Sequence, residues 1–207
     1  RSLRNDAMYR EGREVLAGDG KPVKKNDSRV MRALGKKTTF GVQVAHTSWL
    51  MHEYTSMRRL YEAGGAIPRP IAATDNAILM AYLGDAYRAA PTLNEVALGP
   101  QEAEALFEVV LHNVHLLLRE GLVHGDLSAY NILYWEGEIA LIDFPQVTTM
   151  EGNRSARGIL ARDMRRVCEY FAGQGVERDP EALADALWKE YAPPGAVEPF
   201  VTGELAW

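Results

Sequence analysis

Four polar residues interrupt a mostly apolar stretch. His124, Asp126 and Asn131 lie in Leu122-Val123-His124-Gly125-Asp126-Leu127-Ser128-Ala129-Tyr130-Asn131-Ile132-Leu133, and Asp143 follows within Ile142-Asp143-Phe144-Pro145-Gln146. Their order is His-x-Asp-x4-Asn, with the second Asp twelve residues further on. Moving a phosphoryl group from a nucleotide needs such a set: one carboxylate orients the acceptor, while a carboxamide oxygen and another carboxylate hold Mg²⁺ against the phosphates. On that chemistry Asp126 faces the acceptor, and Asn131 and Asp143 are the metal ligands. His124 reads as a hydrogen-bonding support of the loop rather than a proton carrier. Ser128 suits either a phosphate or metal contact or a loop-stabilising hydroxyl.

The surrounding pattern must bring these groups together. Two apolar runs, Ile132-Leu133-Tyr134 and Ile139-Ala140-Leu141-Ile142, flank Trp135-Glu136-Gly137-Glu138. That is a hairpin signature, and it returns Asp143 to the side of Asn131. Upstream, Leu106, Val109, Val110, Asn113, Val114, Leu117 and Leu118 fall on one helical face, which predicts a helix over residues 101–120 closed by Gly121. Downstream, residues 155–171 carry Ile159, Leu160, Met164, Val167, Cys168 and Phe171 at the same period, so Cys168 reads as a packing thiol. A helix is also predicted from Thr47, with Trp49, Leu50, Tyr54, Met57, Leu60 and Tyr61 in phase and Gly64-Gly65 ending it. Glu53 sits in its apolar stretch, where a carboxylate calls for a cationic partner unless it lies exposed on the helix rim. Residues 77–83 read as a strand running into a loop at Gly84-Asp85, a lobe boundary. A last helix is expected from Pro180 through Trp188. His112 and His115, three apart, read as surface or packing residues, because two histidines do not make a metal site.

The chain has 207 residues, 47% hydrophobic and 25% charged, which is ordinary globular composition with enough apolar material for a core. One Cys excludes an internal disulfide, and no run approaches the roughly 18 apolar residues of a membrane helix, so a soluble, cytoplasmic protein is expected. Charge is uneven. Residues 1–37 hold 11 Lys/Arg and 5 Asp/Glu, a net +6, against −11 for the remainder. Turn formers dominate residues 18–27, which predicts a mobile basic loop: a solvated linker, favoured by the near absence of aromatic residues for base stacking, or a contact for phosphates of nucleotide or RNA. Three parts are expected: residues 1–46 as a basic flexible loop region, 47–83 as the rest of a small lobe, and 84–207 as a second lobe with the catalytic and metal-binding loops.

The motifs resemble the protein-kinase-like superfamily and, within it, the bacterial type of the RIO family of atypical serine kinases and ATPases, over most of the chain. His-Gly-Asp-Leu also occurs in aminoglycoside and choline phosphotransferases. Three further features point to RIO: Ile142-Asp143-Phe144-Pro145-Gln146 in place of Asp-Phe-Gly; Arg162-Asp163-x-x-Arg166-Val167, whose acid ties down the catalytic loop; and Trp49-x-x-x-Glu53 after a long loop. The resemblance implies an α+β, protein-kinase-like two-lobed fold with a small helical C-lobe, using ATP and Mg²⁺. It makes Met80-Ala81-Tyr82-Leu83 the hinge, with the Ala81 carbonyl and Leu83 amide facing adenine and Ile142 on the pocket floor. It also implies a serine or threonine protein kinase, or an ATPase in which Asp143 is ligand or nucleophile, acting on a protein substrate or on itself, with a ribosome-related partner. Pro145 fixes φ and removes an N–H, which disfavours a large flip of its loop.

The departures are as specific as the matches. No Gly-rich strand pair and no strand-borne Lys for Glu53 precede Thr47, so the sequence is expected to begin just after that strand, and this piece is expected to bind nucleotide weakly or not at all. A small-molecule phosphotransferase would need a larger acidic helical C-lobe than the 64 residues after Asp143. A pseudokinase-like binding scaffold is disfavoured by the intact Asp126, Asn131 and Asp143, and favoured by the missing strands.

Overall fold

A computed structural model of the chain describes residues 8–9, 11–24, 26–194 and 196. Its elements run α1 (Ser28–Gly35), α2 (Thr39–Glu62), β1 (Pro70–Ala73), β2 (Ile78–Met80), α3 (Pro100–Arg119), β3 (Leu122–Val123), β4 (Ile132–Trp135), β5 (Glu138–Leu141), β6 (Thr148–Thr149), α4 (Ala156–Ala172) and α5 (Pro180–Tyr191). The strands form three separate antiparallel pairs, β1 with β2, β3 with β6 and β4 with β5.

The described residues of the basic segment hold more regular structure than its composition suggests. Asp27 caps α1 through the amides of Arg29 and Val30, at 3.2 and 3.1 Å. The long helix starts at Thr39, capped by the Thr38 hydroxyl on the Gly41 amide at 3.1 Å, eight residues before the expected Thr47. Its first turns hid from the apolar period because Phe40 and Val42 are exposed. Gly41 is required there, since a side chain would run into the Ala33 carbonyl of α1. A boundary at residue 46 would therefore cut a continuous helix. Instead of a free loop, residues 15–23 fold back on themselves, with a bridge between Leu16 and Pro22 and the Val23 amide 2.7 Å from the Val15 carbonyl. Residues 1–7, Arg10 and Lys25 of that segment, and Gly195 and residues 197–207 of the tail, lie outside the described residues.

The core is one cluster. α3 contributes Leu106, Phe107, Val110, Val114 and Leu117, and α4 contributes Ile159, Leu160, Met164, Val167 and Phe171. Phe107 and Phe171 meet edge to face at 5.3 Å, and Cys168 is buried beside them in the cluster. Asp179 caps α5, whose Leu187 and Trp188 close the far side. The junction between α2 and the larger lobe is pinned at Ala66. Its amide donates to the buried Asn113 side chain at 2.7 Å, and its carbonyl accepts from the Leu141 amide at 2.8 Å. The β4–β5 hairpin turns through Glu136 and Gly137, both at positive φ, a tighter turn than the four-residue linker read from sequence.

Candidate active site

The hairpin register assembles the site. Ile132 pairs with Leu141, and the Ile142 amide continues the ladder onto the Asn131 carbonyl at 2.9 Å. Asp143 is thereby carried to the side of Asn131, in the left-handed region at φ 65. The Asn131 amide is held by the Ser128 carbonyl at 2.9 Å, which is the contribution of Ser128 seen in the loop's own bonding. Asn131 Nδ2 donates to the Asp126 carbonyl at 2.7 Å. A carbonyl accepts only from the nitrogen, so the carboxamide oxygen is the end left for a cation.

The loop of residues 124–131 is clamped from α4 and from residues 143–147. Asp163, fully buried, accepts from the Gly125 amide at 2.8 Å, and Arg162 donates to the Gly125 carbonyl. Burial pushes the Asp163 carboxyl up to about 7, against the opposing pull of Arg162 and the amide. Gly125 stands at φ 87 with the Gln146 carbonyl where a Cβ would be, so no other residue fits. His124 is buried against the Phe144 ring, at 4.7 Å between centroids, and its Nδ1 accepts from the Asp126 amide at 3.3 Å. Burial lowers its pKa to about 4, so near neutral pH it is an uncharged strut.

Three donors surround the Asp126 carboxylate. Arg166 Nη1 is 2.6 Å from Oδ1, while Asn131 Nδ2 and Gln146 Nε2 are each 3.4 Å from Oδ2. Arg166 and Gln146 stand within the sequence motifs, but their types and spacing pointed to no role for either. Glu53 of α2 lies near Asp143 and the Phe144 amide, and the amide favours its ionised form. Burial first, and then the like charge of Asp143, raise its pKa to about 7. Where a cation was expected, Glu53 thus meets a main-chain donor and a second acid. One turn back on the same helix, Trp49 Nε1 donates to the Pro145 carbonyl at 3.0 Å, and Arg13 also donates to the Pro145 and Val147 carbonyls. These anchors, together with the β3–β6 pair that closes residues 143–147, were missed by local patterning.

The hinge stretch follows β2. β2 ends at Met80, the Ala81 amide bonds the Arg69 carbonyl at 2.8 Å, and the Leu83 carbonyl accepts from Ala90 at 2.9 Å. Among the described residues, neither the Ala81 carbonyl nor the Leu83 amide is taken up by another main-chain group. Ile142 is half-buried at the hairpin end. His112 is exposed and His115 bonds the Tyr191 hydroxyl at 2.9 Å, away from the catalytic loop. No group of three His, Cys, Asp or Glu converges as a metal cage among the described residues. A carboxylate and a carboxamide oxygen fit Mg²⁺, which keeps waters and phosphate oxygens as its other ligands.

The fold defines a protein-kinase-like protein of α+β class. The Rio2 kinase from Chaetomium thermophilum, solved as an ADP/Mg²⁺–phosphoaspartate complex, superposes with a TM-score of 0.57 at 23% identity, over 85% of this chain and 50% of that one. Residues 15–183 match the RIO domain, and the chain belongs to that family. The RIO-type serine/threonine-protein kinase Rio1 of Haloferax volcanii is 33% identical over 182 residues, 86% of this chain and 56% of the relative. Rio1 of Thermoplasma acidophilum is 30% identical over 142 residues, 69% and 73% of the respective chains. The chain thus spans little more than half of the Haloferax relative. Among the described residues, no helix is long and apolar enough to cross a membrane.

Proposed function

We propose that this chain carries the catalytic and metal-binding loops of an ATP- and Mg²⁺-dependent phosphoryl-transfer enzyme, a RIO-type serine/threonine kinase or ATPase. The observation that carries the reading is the 2.9 Å bond between the Ile142 amide and the Asn131 carbonyl. It sets Asp143 beside a carboxamide whose nitrogen is already spent on Asp126. Asn131 and Asp143 would hold Mg²⁺, whose charge offsets that of the phosphates, and Asp126 would orient the acceptor and take its proton. Met80, Ala81 and Leu83 would receive the adenine through main-chain groups, with Ile142 beneath it. Glu53 would bind nucleotide indirectly, by holding the Phe144 end of the metal-binding loop. The basic segment would supply any contact with ribosomal RNA.

A second outcome on the same residues is an ATPase cycle through Asp143, favoured by the phosphoaspartate in the similar Rio2 structure. An Asp143 oxygen would attack the γ-phosphorus, and the bond to the β–γ bridging oxygen would break. ADP would leave with that electron pair, and water would later hydrolyse the acyl phosphate. The test is radiolabelled ATP with Mg²⁺ on the protein as the gene encodes it, beside Asp126→Ala and Asp143→Asn. Both substitutions are expected to lower transfer by about a hundred-fold or more. Hydroxylamine-stable label on Ser or Thr means a kinase, labile label lost with Asp143 means the ATPase cycle, and neither label nor hydrolysis defeats the proposal in favour of a binding scaffold.

A further inference from the structure

The strongest bond to the Asp126 carboxylate comes from outside its own loop. Arg166 Nη1 lies 2.6 Å from Oδ1, whereas the two amide donors on Oδ2 lie at 3.4 Å. Oδ2 faces Asn131 and Gln146, so an acceptor hydroxyl reaches the carboxylate at Oδ1, where the guanidinium sits. The guanidinium occupies the approach to Oδ1, so the pair has to part before an acceptor hydroxyl can bond that oxygen. Both side chains are within reach of solvent, at 42% exposure for Arg166 and 28% for Asp126.

The other arginines of α4 are committed elsewhere. Arg162 bonds the Gly125 carbonyl, the Tyr9 hydroxyl at 2.5 Å and Asp163 at 3.3 Å. Arg165 pairs with Glu181 at 2.5 Å and Arg157 with Asp185 at 2.8 Å. Among the described residues, Arg166 is the α4 cation set against the reacting carboxylate. Phosphoryl transfer spreads negative charge over the equatorial oxygens of the moving group, and a planar guanidinium bridges a carboxylate and a phosphoryl oxygen well.

We infer that Arg166 is a catalytic arginine supplied in cis, paired with Asp126 and shifting onto an oxygen of the γ-phosphoryl group as it transfers. The inference rests on the phosphoryl-transfer reading above. The bond from the acceptor oxygen to phosphorus forms, and the bond from phosphorus to the bridging oxygen breaks. ADP leaves, and the hydroxyl proton passes to Asp126 as Arg166 releases it. Arg166 keeps its own charge throughout.

Arg166→Met and Arg166→Lys test this in the protein as the gene encodes it, with Mg²⁺ and labelled ATP. The Met variant is expected to lose about a hundred-fold or more in kcat with KM for ATP unchanged, because the contact is made in the transition state. Lys is expected to restore part of the loss, keeping the charge without the planar fork. Both variants are expected to melt with the unmodified protein, since a half-exposed ion pair contributes little to stability. The Lys variant carries the same kcat-against-KM readout without removing the charge. Turnover in the Met variant equal to or above that of the unmodified protein, or a raised KM at constant kcat, overturns the role of Arg166 and leaves the phosphoryl-transfer reading standing. Failure of the unmodified protein to turn over ATP sinks that reading, and this one with it.

Discussion

At the scale of single residues, Gly125 is the position where backbone geometry and chemistry meet. Its φ of 87 and the Gln146 carbonyl lying where a Cβ would go leave no room for a side chain. Gly125→Ala is expected to cost about 1–3 kcal/mol, the range for a strained backbone position, and urea denaturation measures it. Gln146 would be pushed from Asp126 in the same substitution, so activity should fall further than stability alone predicts. Asp126, Asn131 and Asp143 were legible because they sit on one local loop and hairpin whose register follows from the apolar runs on either side. Arg166 was not. Its contact with Asp126 crosses 40 residues of sequence, and a helix surface carrying four arginines gives no hint of which one turns toward the loop.

At the scale of elements, the joint between α4 and the loop of residues 124–131 carries a pH signature. Asp163 titrates near 3.8 in an unfolded chain and at about 7 in the fold, with burial as the dominant cause. Between those values the native state holds a proton that the unfolded chain has released. The contribution of this group to stability is therefore greatest below the lower value and declines as pH rises through the upper one. Asp163→Asn keeps an oxygen for the Gly125 amide and removes the titration. Urea unfolding at about pH 5 and about pH 8 should show the unmodified protein losing more stability on the alkaline side than the variant does. Elements were legible where an apolar face is buried on one side, as in α3 and α4. The start of α2 and the short β3–β6 pair were not, because exposed apolar residues blur the first and two-residue strands leave no period to read.

The whole molecule rests on a core shared by its principal helices, and that core sets its tolerance to damage. Phe171 is fully buried against Phe107 and within the same cluster as Leu93, Val110 and Trp188. Phe171→Ala is expected to cost about 3–5 kcal/mol, a large share of the roughly 5–15 kcal/mol that holds a domain folded. A thermal melt by circular dichroism should show a much lower midpoint or no cooperative transition. The α+β, two-lobed architecture was implied by the family resemblance of the motifs, whereas the bonds that lock the lobes at Ala66 join three distant segments and were invisible. α2 has a mechanical consequence of its own. It is a continuous rod of about 36 Å, with Phe40 near one end and, further along, Trp49 and Glu53 one turn apart gripping Pro145 and Phe144. Such a rod is a lever: a load placed on the exposed Phe40 end is delivered as torque to the segment that bears Asp143.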